Sequence, residues 1–365
     1  MSQNTLPLPL AEKTNIKDWG LQNYDLKNIE PPQIDIDAYL PKEVDNAIII
    51  CDGTIVHQTL PAQVTVGNLQ DDKIEEKNIL IALNKKNKNS SLSLNISKNT
   101  KLDTPLYVVY IAKNRSFVHQ TEITVEAGAE ADIIEKFVAN TKVNINIVSK
   151  LNILANAKVN AAVINALGGG STVYYHRTTQ VGDHASIHAN NFIINDSNLV
   201  VEDFTHLSGK GSEGNVATVA LANQAQQQNI TIRVENYAPH AIGNIVNYGI
   251  VKDNAHLAFN GVGKIHKGMN GGDNQQESRL LNLSKTAEAI ANPFLLIDEG
   301  DITAGHAASI GQIDEEQVYY LMSRGLSKAE AAKLIVSGFL TPFVNRLNNE
   351  FLKEELLKNI EEKLS

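Results

Sequence analysis

The sequence predicts a mainly β protein, stacked as a β-solenoid or β-helix and ending in helices, on three observations. Short runs that alternate apolar and polar residues recur from about residue 78 to 313, among them SLSLNIS (91–97), NINIVSKLNIL (144–154), STVYYHRTTQV (171–181) and QNITIRVENY (228–237). Strict alternation marks strands with one buried face, and 3.6-residue helical spacing is nearly absent there. Next, a small-residue phrase returns around Ala129, Ala157, Ala185, Ala255 and Ala287, at intervals of 28, 28, 70 and 32 residues. Such spacing marks stacked supersecondary units, and units made of strands with Gly, Asn and Asp turns stack as a solenoid. Finally, the texture switches after Gly311 to capped, amphipathic helix. A β-sandwich is the rival fold; the 5% aromatic content and the length of the β region weigh against it.

Taken in order, residues 1–77 form a small mixed α/β region, with Trp19, a Pro31-Pro32 break and the apolar run Ala47-Ile48-Ile49-Ile50. Residues 78–313 form the β-helix core, and residues 314–365 a C-terminal helical domain. In that last part Asp314 to Gln317 reads as a capping box, and Gly325 as the stop of the helix it opens. Ser327 to Glu330 reads as a second box, whose helix places Ala331, Leu334, Ile335 and Phe339 on one side until Pro342 breaks or restarts it. The tail spaces Leu352, Leu356, Ile360 and Leu364 four apart, an amphipathic stripe that packs on its own domain or on a partner.

Charge and composition narrow the function. Lys and Arg number 32 against 41 Asp and Glu, for a net charge of -9, and no basic block stands out. A phosphate-tracking groove needs clustered cations, so nucleic acid is not an expected partner. No apolar run approaches the roughly 20 residues of a spanning helix, so no membrane partner is expected either. The N-terminus lacks a secretory pattern and Cys51 is the single cysteine, which together point to the cytoplasm. One cysteine cannot supply the several thiolates that usually hold zinc or iron–sulfur.

The search for chemistry returns little. LGGGST (167–172), GKGSEGN (209–215) and GVGKIHKGMNGG (261–272) do not have the phosphate-loop spacing and read as solenoid turns. His184 and His188 would chelate on a helix, but DHASIHANN reads as strand, where such a pair stands roughly 13 Å apart on an outer face. Clustered acids such as Glu202-Asp203 and Asp298-Glu299-Asp301 leave a β-helix carbohydrate-active enzyme as the alternative class. Cys51 reads as a structural thiol, and a plain adhesion solenoid would need an export signal.

The stretch AGHAASIGQIDEEQVYYLMSRGLSKAEAAKLIVSGFL (304–340) closely resembles the C-terminal signature of the SufB/SufD family of iron–sulfur cluster assembly proteins. The resemblance extends upstream through NYGIVKDNAHLAFNG, QESRLLNLS and ANPFLLIDEGD, and is dense over roughly 235–345. With no cysteine beyond Cys51, the chain looks like the SufD type within it. Many relatives read close to HGATVG where His306-Ala307-Ala308-Ser309-Ile310-Gly311 stands here, and some carry a cysteine where Ala304 stands.

The resemblance implies a right-handed parallel β-helix with a helical C-terminal domain, and a scaffold that is not itself an enzyme. It implies pairing with a SufB-like paralogue and docking of a SufC-like ABC ATPase through the C-terminal helices. It also implies no stably bound cofactor in the lone chain and a transient iron–sulfur cluster in the complex; a homodimer is possible in isolation. His306 is the candidate cluster-assembly and metal ligand, shared with the partner, because a neutral imidazole ligates iron and its ordinary pKa near 6.5 suits proton transfer. Tyr319, Tyr320, Met322 and Arg324 are the candidate ATPase-docking residues, of kinds enriched at interfaces.

Overall fold

The structure is a computed structural model that describes residues 7–9, 16–26, 33–41, 44–67, 69, 77–168, 170–347 and 349–364; Pro31-Pro32 lies outside them. The alternating runs become a parallel β-solenoid of about eight turns. Its strands fall into two sheets, and successive strands alternate between them. In parallel pairing, the first sheet runs from Ala47–Cys51 and Leu106–Ala112 through Glu130–Ala139, Lys158–Leu167, Ser186–Ile194, Glu213–Ala222, Ile242–Val251 and Gly272–Asn282 to Ile302–Gln312. The second runs from Ser90–Ile96 through Phe117–Val125, Asn144–Ile153, Thr172–Val181, Asn198–Leu207, Gln227–Asn236 and His256–Ile265 to Glu288–Ile297. Ala47–Cys51, in the N-terminal region, already pairs in parallel with Leu106–Ala112.

One turn takes 28 residues from Glu130 to Lys158 and 32 from Leu257 to Ala289. The alanine phrase marks corners: Ala129, Ala157, Ala185 and Ala255 are at most 1% exposed and Ala287 8%. At the first three corners Gly128, Asn156 and His184 precede the alanine at φ 71°, 60° and 53°, the left-handed turn that tucks it inward. Those three lead into first-sheet strands, whereas Ala255 and Ala287 lead into second-sheet strands. The 70-residue interval is therefore two and a half turns, because the phrase changes corner. His184 stands in a turn and not on a strand face, contrary to expectation, since its left-handed φ ends the extended run.

The two ends of the stack differ. At the N-terminal end both sheets are covered by antiparallel strands, Thr54–Thr59 on Ala47–Cys51 and Val64–Gly67 on Ser90–Ile96. At the other end Ile302–Gln312 and Glu288–Ile297 are paired on one side only, among the described residues.

Among the described residues four α-helices lie outside the solenoid. α1 (Ile79–Asn87), capped by Asn78, packs Leu80 and Ile81 on Val148, Tyr174 and Val200 of the second sheet. α2 (Glu315–Ser323) is capped by Asp314 and ends before Gly325 at φ 97°. α3 (Lys328–Val344) opens on the Ser327–Glu330 capping box. Pro342 lies inside α3, in its final turn, and the helix runs on past it to Val344, so the proline neither breaks nor restarts it. The buried face of α3 is Ala331, Val336, Leu340 and Phe343, while Leu334 is 53% exposed; the stripe is rotated from the expected one because the helix docks through Phe343. α4 (Glu350–Leu364) buries Leu352, Leu356 and Ile360. Those side chains join Phe343 in one cluster with Ile134, Ile164, Phe192, Val219 and Tyr248 on the outer face of the first sheet.

Candidate functional site

Ile302–Gln312 is the last strand, and its register fixes where His306 stands. Ile133, Ala161, Ala189, Val216, Ile245, Gln276 and His306 follow one another rung by rung. The first five belong to the core that fills the solenoid, so His306 occupies an inward-facing row. No further rung covers it among the described residues, and it is exposed. Ala304 and Ala308 stand on the same face of the strand, two residues either side. Ile310, next along that face, is 50% exposed. The end of the solenoid is thus a largely apolar surface with one imidazole in it.

The backbone at this end is open too. Ile313 donates its N–H to the Asn282 carbonyl. By the alternation of a parallel ladder, odd-numbered amides of the last strand face its neighbour, and even-numbered ones, His306 and Ala308 included, face the free edge.

Nine residues after His306 the chain enters α2. Tyr319, Tyr320 and Met322 are 75%, 56% and 43% exposed, large for such side chains. The structure brings two of the candidates together: the Arg324 guanidinium lies over the Tyr320 ring at 5.2 Å, and Val318 is the buried residue of α2. His306 and the α2 residues share a continuous stretch of chain.

Other features singled out in the sequence have structural employment. His188 is exposed on the outer face of its strand, its Nδ1 3.4 Å from the Asn215 amide nitrogen. Glu202 accepts from Tyr174 and Asn78, and Glu299 from the backbone amides of Gly268 and Gly300. Cys51 is fully buried, and burial, reinforced by the Asp52 charge, pushes its thiol up to about 11, away from nucleophilic reactivity. Gly209 sits where a Cβ would collide with the Gly182–Asp183 backbone, so that stretch is a close crossing of the chain.

Sequence reasoning missed a polar network inside the solenoid. Arg177, 1% exposed, donates from Nε to Asp203 Oδ1 at 3.1 Å and from a terminal nitrogen to Oδ2 at 2.5 Å. Asn191 bridges the pair, accepting from Arg177 at 3.1 Å and donating to Asp203 at 2.9 Å. Nearby, Tyr110 donates to Glu135 at 3.0 Å, and burial raises the Glu135 pKa against the pull of Arg177. His119, wholly buried between Ser90 and Thr121, is pushed down to about 3 by desolvation. The available signal was parity: in STVYYHRTTQV the inward residues Val173, Tyr175 and Val181 place Arg177 inward as well.

Among the described residues, then, the parallel stack ends on a strand that carries one exposed imidazole and leads straight into the C-terminal helices. Residues 108–339 match the family model described as the SUF system FeS cluster assembly SufBD core domain, so the chain belongs to this family. It is 31% identical to the iron–sulfur cluster assembly protein SufD of Bacillus subtilis, over 98% of this chain and 91% of that one. SufBD family proteins of Staphylococcus saprophyticus and Mycobacterium bovis are 26% and 30% identical, over 71% and 40% of this chain and 57% and 18% of theirs. Within the family the chain is SufD-like.

Proposed function

We propose that this chain is a non-catalytic scaffold subunit of an iron–sulfur cluster assembly complex. It pairs with a SufB-like paralogue through the open end of the solenoid and docks a SufC-like ATPase on α2 and α3. The observation that carries this is the asymmetry of the two ends: antiparallel strands cap the parallel stack at its N-terminal end, and among the described residues no strand caps it at the C-terminal end. Uncovered parallel edges of ten or eleven residues are templates for another chain, and a protein that keeps them has a use for them. A related solenoid would continue both sheets and the apolar lumen. A second copy would do the same in the absence of the paralogue.

In the paired state His306 sits at the junction, where a neutral imidazole offers one ligand to a transient cluster. Ala304 contributes no thiolate, so sulfur ligands come from the paralogue. Tyr319, Tyr320, Met322 and Arg324 form the exposed face of α2 that meets the ATPase. Ala308→Pro tests the pairing. It removes an amide that faces the free edge and places a ring there, without breaking a ladder bond inside the chain. The paralogue is expected to be lost from co-purification while the variant keeps its β circular dichroism. Undiminished co-purification would contradict pairing through this edge.

A further inference from the structure

α4 runs across the rungs, not along one. Its start is at an early rung, where the Phe351 ring stands 6.1 Å from Tyr107 edge to face. One turn on, Glu355 accepts from Lys136 of the next first-sheet strand at 2.6 Å, both side chains less than 20% exposed. At its far end Lys363, its side chain 6% exposed, enters the corners that follow Ser186–Ile194 and Glu213–Ala222. There its ammonium donates to the Asn195 carbonyl and to Gln226 Oε1 at 2.8 Å, with Asp196 at 3.6 Å. Between these anchors Leu352, Leu356 and Ile360 are buried. Fifteen residues of helix span about 22 Å, and four steps between neighbouring strands about 19 Å, so α4 covers five rungs. The later rungs are held differently. α3 reaches Ile242–Val251 through Phe339 and Phe343, 5.3 and 6.0 Å from the Tyr248 ring, and the outer face of Ile302–Gln312 is exposed.

We propose that α4 is a longitudinal strut, anchored by Lys136–Glu355 at one end and Lys363 at the other. It stiffens the first sheet from Leu106–Ala112 to Glu213–Ala222, so that a displacement applied at α2 and α3 is delivered to the last two rungs and the open end. This rests on the docking of an ATPase at α2 and α3. Without the strut the same displacement would spread as shear through the middle of the solenoid.

The test is hydrogen exchange of the full-length chain, alone and with the ATPase subunit and a non-hydrolysable ATP analogue. In the wild type, exchange should change in residues 272–282 and 302–312 and stay constant across 130–222. Lys136→Glu should spread the change into 130–222, and Lys136→Glu with Glu355→Lys, which restores the pair reversed, should confine it again. Glu355→Gln serves as the milder variant if Lys136→Glu does not fold. A wild-type change across 130–222, or a Lys136→Glu response like the wild type's, overturns the strut. If the ATPase does not bind, the docking reading fails, and the chain alone decides. Lys136→Glu should then raise exchange in 130–139 and 351–363 several-fold, with restoration in the reversed pair; unchanged exchange overturns the strut there too.

Discussion

Asp203→Leu is expected to destabilise the protein by about 3–5 kcal/mol, among the largest effects of any single substitution. The reason lies in what is left behind. Arg177 is 1% exposed and cannot reach water from the lumen, so removing its carboxylate strands a buried cation with Asn191 and the more distant Glu135. The double variant Arg177→Met with Asp203→Leu should recover most of that loss. A buried ion pair replaced by apolar side chains of similar volume is often neutral or better, because neither charge need then be desolvated. Urea unfolding of the single and double variants checks both halves. Equal losses in the two would mean that the pair itself, and not the orphaned charge, carries the stability.

Acid should weaken the fold through His119. Its folded pKa, about 3, lies below the 6.5 of an unfolded histidine. As pH falls through 6.5 the unfolded chain takes a proton that the folded one refuses, so stability present above pH 6.5 is lost progressively down to about pH 3. The whole window amounts to about 5 kcal/mol. Glu202 and Glu235, whose pKa values are lowered despite burial, the first by the His176 ring 3.4 Å away and the second by the hydrogen bond from His266, add losses of the same sign. Glu135, raised by burial, opposes them. His119→Gln removes the titrating group, so its stability should fall less between pH 6.5 and 4 than the wild type's. Parallel slopes would assign acid sensitivity to the carboxylates.

Much of this architecture was legible in the residues. Alternation gave the strands, and the alanine phrase gave the corners because only a small side chain fits beneath a left-handed turn. The same phrase hid the half-turn, since Ala255 and Ala287 sit at the other corner and nothing local distinguishes the two. Ala47–Cys51 was not legible as a rung. Its parallel neighbour, Leu106–Ala112, lies more than fifty residues away, beyond two antiparallel strands and α1. The stripe of α4 was plain, but its target was not, because the outer face of the first sheet becomes apolar only when Ile134, Ile164, Phe192 and Val219 are stacked. That contact also means the helical end is no detachable appendage: cutting the chain at Ile313 would bare the patch. Docking is therefore better probed at the exposed Tyr319 and Tyr320. As for the site, the sequence singled out His306 through a family resemblance. That the residue lies on an inward row at an open end follows only from register.

The most direct measurement of the central claim, a scaffold whose open end serves cluster assembly, is the cellular supply of iron–sulfur clusters with His306→Ala in place of the wild-type chain. His306 is exposed on a terminal strand, so the variant should fold and co-purify with its partner subunits. Cluster-dependent enzyme activity should nonetheless fall well below wild type, while His188→Ala, on an outer face, leaves it unchanged. Normal cluster supply in a folded, assembled His306→Ala complex would contradict the account.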